Sequence, residues 1–146
     1  MDVEPAKAPW HLWLVGIAAT LFNAIGVFDF VMTMARGSAY MASAGMTPAQ
    51  IEHYRDMPGW MTIVWAIGVF AAFAASILLL LRRRSAFPVF VASLAAFLVS
   101  LFYTYVMTDG GAIMGQAMAV TSAIIAALLL CFALYARAMA ARGILR

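Results

Sequence analysis

Asp29 is the residue whose chemistry stands out. It sits in FDFVMT, Phe28 to Thr33, inside a long apolar run. A charged side chain at the centre of a bilayer costs roughly 2.5–3.5 kcal/mol on insertion scales, so such a group reaches water, pairs with a base, or faces an ion or substrate. Asp29 comes 19 residues after Trp10, about 28 Å along a helix, which places it near an interface. Two readings stay open. One is a paired or snorkelling carboxylate, with Arg36 or Arg55 as partner. The other is a carboxylate turned toward a ligand. Gly26, Asp29, Thr33 and Arg36 fall on one helical face, with a small residue beside the acid as in packed membrane helices.

The same sequence is echoed as YTYVMT, Tyr103 to Thr108, with aromatics kept and Thr104 in place of the acid. Ser93, Ser100 and Thr104 share a face there. The next segment opens with Gly115 and Gln116. Asp29, Thr33, Tyr103, Thr104, Tyr105 and Gln116 therefore gather at one depth, and together they form the candidate substrate-binding site. The plainer alternative is that these hydroxyls and the amide glue helices together, at about 0.6 kcal/mol per bond. Deeper in the first segment, Gly16, Thr20 and Asn23 share another face, and Asn23 is suited to bonding a neighbouring helix or lining a cavity.

Other chemistry is sparse. His11 and His53 lie at opposite ends of the spans, which argues against a shared haem. Glu52, His53 and Asp56 in the long loop could offer metal ligands, but E-H-x-x-D on an exposed helix more simply reads as a solvated face. No lysine lies within a span. No nucleophile–base set or phosphate loop is present, so no enzymatic activity, cofactor or metal is expected. Cys131, the single cysteine, reads as a small buried hydrophobe. Arg82-Arg83-Arg84 most simply fix topology and meet anionic lipid.

The positioning elements follow from hydropathy. The chain is 66% hydrophobic and 10% charged, against about 25% charged in soluble domains. Lipid is the solvent such a surface requires, and the net charge of +3 does not mark a nucleic-acid binder. Four segments, about 10–34, 60–81, 86–107 and 112–135, are long enough to span a membrane as helices. The expected fold is all-α: a polytopic, single four-helix transmembrane domain built from two antiparallel hairpins. The first segment is read as a span and not as a signal peptide. Its apolar stretch is too long, and Asp2 and Glu4 precede it against a single Lys7.

In the 35–59 loop, Thr47 and Gln50 form a capping box and Pro48 takes the first helical position, predicting a short surface helix over 48–56. Lys7, Arg82–Arg84, Arg137, Arg142 and Arg146 fall on one side of this layout, and Arg36 and Arg55 on the other. That bias puts both termini in the cytoplasm and the long loop outside, as for a multi-pass bacterial inner-membrane protein.

FDFVMT and YTYVMT are 75 positions apart, and the same offset places Phe22 on Phe97. Either a hairpin was duplicated, giving parallel halves of a kind found in transporters, or low-complexity membrane sequence matches by chance. PWHLW, NAIGVFDFVMT, TPAQIEHY followed by P-x-W, and SILLLLRRR together resemble a group of small, uncharacterised four-helix bacterial inner-membrane proteins, some labelled "sugar transporter". The resemblance implies a membrane protein and leans toward transport; it supplies no functional residues. The proline-glutamine motif of the small sugar carriers does not occur in the chain. Two functions remain open: a solute- or ion-transport-related module, working as a homo-oligomer, and a non-catalytic accessory subunit of a larger membrane complex.

Overall fold

In a computed structural model of the protein, residues 6–146 are described; Asp2 and Glu4 lie outside them. The described chain is all-helical. In order it forms α1 (Trp10–Arg36), α2 (Ser38–Ser43), α3 (Pro48–Arg55), α4 (Gly59–Leu80), α5 (Ala86–Phe102), a π-helical turn (Tyr103–Met107) and α6 (Gly110–Ala141). The segments Trp10–Arg36, Gly59–Leu80, Ala86–Met107 and Gly110–Ala141 are each long and apolar enough to cross a membrane. The shortest has 22 residues, about 33 Å of helix.

Each long helix packs on the next in sequence, α4 against α5 most extensively. The start of α1, the end of α4, the start of α5 and the end of α6 meet in one apolar cluster that includes Leu12, Leu79, Phe90 and Met139. This end carries Arg82–Arg84 and is called here the arginine end; the opposite, loop end carries α2 and α3. Small residues let the backbones approach. Ala75, Ala86 and Ala136 are fully buried in the cluster, as expected where helix association rests on close packing. The Asn23 amide donates to Ser76 Oγ at 2.8 Å and to the Ala72 carbonyl at 3.3 Å. Ser93 donates to the Gly68 carbonyl at 2.7 Å. Such bonds fix which faces of α1, α4 and α5 oppose one another.

The arginine end is closed by a clasp. α6 ends in a Schellman turn: Gly143 takes a positive φ of 70°, and Ile144 N–H reaches the Met139 carbonyl at 3.0 Å. A left-handed residue there suits glycine. The turn sends Ile144 and Leu145 back into the apolar cluster. Leaving the helix there frees carbonyls that need donors. The arginines supply them: Arg82 Nε donates to the Ile144 carbonyl at 3.0 Å, and Arg84 Nε to that of Leu145 at 3.1 Å. The backbones join too, Arg84 N–H to the Arg146 carbonyl at 2.8 Å and Arg146 N–H to that of Arg82 at 2.6 Å. Two of the three arginines thus bind the chain itself, beyond the topological role expected of them.

Candidate functional site

At the loop end the helices enclose a cavity of about 550 Å³. Its origin is the relation of α1 to α6. At the arginine end they touch through side chains: His11 Nδ1 and the Tyr135 hydroxyl share a 2.6 Å hydrogen bond, and Phe22 and Phe132 stand 6.4 Å apart. The two helices are not among the extensively packed pairs. Toward the loop end Asn23, Gly26 and Asp29 form one wall of the cavity, and Met114, Met118 and Ser122 another. Ile25 and Phe28 also line it while remaining 68% and 59% exposed, so its lip on α1 reaches the outer surface of the bundle.

Asp29 is placed by α1, and its partner by the turn that follows. Gly37, with φ of 53°, breaks the helix and starts α2, which brings Tyr40 back over α1. The Tyr40 hydroxyl donates to Asp29 Oδ1 at 2.9 Å. That bond, then desolvation and the nearby negative charge, raise the Tyr40 phenol above its ordinary value. The carboxylate is thus held by a phenol, where the sequence had suggested Arg36 or Arg55.

The lid over the cavity is α3. The Thr47 hydroxyl accepts from Gln50 N–H at 3.3 Å, and the Gln50 side-chain oxygen accepts from Thr47 N–H at 3.0 Å. This is the capping box anticipated from T-P-A-Q, with Pro48 at the first helical position. Gln50 does a second job. Its amide reaches the carbonyls of Ile113 and Met114 at 3.4 and 3.3 Å. Those carbonyls stand where α6 is broken at Gly115, whose φ of 79° and ψ of 177° are non-helical and essentially restricted to glycine. The break removes helical partners from the preceding carbonyls, and the lid supplies a donor.

α3 also turns His53 and Tyr54 into the cavity, and Met57 in the connection after it joins them. Tyr54 stands 5.7 Å from Trp65, and His53 6.3 Å from Tyr103. Burial pushes the Tyr54 phenol above its ordinary value, and the charges of Asp29 and Tyr105 push in the same direction.

The π-helical turn builds the facing side. The Thr108 hydroxyl donates to the carbonyls of Tyr103 and Thr104 at 3.3 and 3.0 Å and accepts from Gly110 N–H at 3.1 Å. Tyr103, Thr104 and Tyr105 all border the cavity. In a regular helix three consecutive side chains fan across about 200°; the wider turn lets all three meet one space, and such turns often occur at functional sites.

Of the six residues proposed from sequence, Asp29, Tyr103, Thr104 and Tyr105 border this cavity, and Thr33 and Gln116 do not. Thr33 is buried in α1. Gln116 is exposed, because the break at Gly115 resets the phase of α6. Asn23 combines both roles envisaged for it, bonding α4 while bordering the cavity. Tyr40, His53, Tyr54 and Trp65 were missed. The aromatic pair His53-Tyr54 on a short capped helix was a usable signal for two of them. Cys131 is exposed where a buried position was expected: it lies on the outward face of α6. Among the described residues, no three His, Cys, Asp or Glu side chains cluster closely enough to hold a metal ion. Neither a family model, nor a curated protein, nor a solved structure matches this chain.

Proposed function

We propose that the protein is a small membrane module that admits a solute into the cavity between α1, α4, α5 and α6. The observation that carries this reading is the cavity itself. Its volume of about 550 Å³ falls within the ordinary range of ligand sites, as does an apolar wall with a few convergent polar groups. α1, α3 and the π-helical turn each bring polar side chains to its loop end. In this reading the protein resides in a bacterial inner membrane with the arginine end in the cytoplasm and the loop end outside. The two antiparallel hairpins are the units, and the FDFVMT and YTYVMT echo marks the two that face the site. A four-helix chain encloses little more than this cavity, so a complete pathway would use a homo-oligomer.

Asp29→Asn is the test. Reconstituted protein carrying it should fold and express normally yet lose solute binding or uptake. Normal uptake at normal expression would remove Asp29 from the function.

A second reading, a non-catalytic accessory subunit, has α6 in its favour. Only 11% of its most apolar window is buried, the least of the four spans. Extraction from native membranes in mild detergent separates the two. A homo-oligomer supports the solute module, and a stoichiometric larger assembly supports the subunit.

A further inference from the structure

We propose that the ligand of this cavity is an amphipathic organic cation, with its charged nitrogen at Asp29 among tyrosines and its apolar body against the aromatic and methionine walls. The inference rests on the solute-module reading and names its substrate class.

The first ground is charge. Asp29 is the only carboxylate among the described residues that line the cavity, and no lysine or arginine lines it. Tyr40 occupies one carboxylate oxygen, Oδ1, leaving acceptor capacity on the other. His53 is the one basic side chain among the described lining residues, and an arriving cation would bring Asp29 a permanently charged partner.

The second ground is the aromatic setting. Tyr40 binds Asp29 and meets Phe28 edge-on at 6.5 Å. Tyr54 lines the same cavity and stands 5.7 Å from Trp65. Rings of this kind attract a cation through their quadrupoles, and aromatic cages are a recurrent solution for substituted ammonium groups.

The third ground is the mostly apolar character of the deep wall. A sugar buries several hydroxyls, each needing a partner. Deeper in the cavity Asn23, Ser93 and Ser100 already give their donor hydrogens to Ser76, Gly68 and Ala96, and Ser122 adds one further hydroxyl. Their neighbours are Met61, Val69, Phe97, Leu101, Ile125 and Leu129, which suit a hydrocarbon body. Methionines in particular adapt to varied apolar shapes. The exposed lip at Ile25 and Phe28 would let a lipid-dissolved cation enter from the side.

The experiment compares three phenyl-bearing probes that differ in headgroup: phenyltrimethylammonium, phenyl-β-glucoside and benzenesulfonate. Each is titrated calorimetrically into full-length protein in lipid nanodiscs, with empty nanodiscs as blank. Saturable heat is expected for the ammonium probe alone. Asp29→Asn should weaken it at least tenfold, Asp29→Glu should retain most of it, and Tyr54→Phe should leave it nearly intact because the ring remains. Elution as a single species controls for folding.

Glucoside binding equal to or tighter than ammonium binding would overturn the cation assignment and leave the solute site standing. So would ammonium binding indifferent to both Asp29 substitutions. No saturable heat from any probe at millimolar concentration would overturn the cation assignment and the solute site together.

Discussion

The two ends of the bundle solve the same packing problem in opposite ways. At the arginine end alanines bring the helices together, Phe90 is fully buried, and Ile144 and Leu145 fold back to plug what remains. Toward the loop end α1 and α6 part while each still packs on its neighbour in sequence, leaving Met, Phe, Tyr and Trp around an open volume. In a bilayer lipid tails compete with protein for every apolar surface, so close van der Waals packing decides where helices meet. The tight end supplies that packing and holds the bundle together. The loose end can therefore stay open, and its backbone can be irregular where it lines a cavity, which a membrane span otherwise does not tolerate.

If this division is right, equal truncations should have unequal costs. Phe90→Ala, beside Phe132 at 5.9 Å, should destabilise by about 3–5 kcal/mol through the void it leaves. Phe97→Ala, which borders the cavity, removes fewer contacts and should cost about 1 kcal/mol or less. Unfolding by titrated sodium dodecyl sulfate measures both. Equal losses would erase the distinction between a closed and an open end.

Next in size is Gly115→Ala. A side chain at φ of 79° and ψ of 177° costs about 1–3 kcal/mol. If the strain is instead relieved by straightening α6, the carbonyls that hold Gln50 would regain helical partners and the lid would lose its anchor. Protease cleavage between α2 and α3 should rise in either case, with the arginine end unaffected. Unchanged stability and unchanged cleavage together would mean that the break has no role in holding α3. Thr47→Ala tests the same lid from its other side. Loss of the cap should cost about 1 kcal/mol, read as a lowered midpoint in the same titration, and the Phe90→Ala penalty should add to it because the sites are far apart.

The difference between the ends also explains what could be read from sequence. Hydropathy alone locates the four long apolar helices, because backbone hydrogen bonding in lipid leaves few alternatives. T-P-A-Q gave α3 because its capping contacts are local. The polar face of Asn23 pointed correctly to a bond between helices. The features that shape the cavity depend on contacts distant in sequence. SAYMAS has neither a side-chain cap nor enough length to announce α2, yet α2 delivers Tyr40 to Asp29. YTYVM reads as ordinary helix; its π-helical turn depends on Thr108 bonding back to two carbonyls. Gly115 could have been a helix-packing glycine, and the break there is why Gln116 did not join the site. The arginine triplet looked like a topology signal because nothing local reveals that residues 144–146 return to it.

The smallest expected effect concerns Tyr54. Its phenol titrates above the ordinary 10.0 because burial, then the charges of Asp29 and Tyr105, disfavour the anion. A group with a raised folded pKa gives stability that is fully present below its unfolded value and is lost as pH rises through the folded one. Stability at the loop end should therefore hold to about pH 10 and decline above it. The decline should be shallower in Tyr54→Phe, which has no proton to lose. Tyrosinate absorbance, taken as wild type minus Tyr54→Phe, isolates this phenol. In Asp29→Asn it should ionise at lower pH than in the wild type while still lagging an exposed tyrosine, because burial remains when the charge is gone. Ionisation at the same pH with and without the Asp29 charge would separate the lid from the carboxylate and confine Asp29 to its contact with Tyr40.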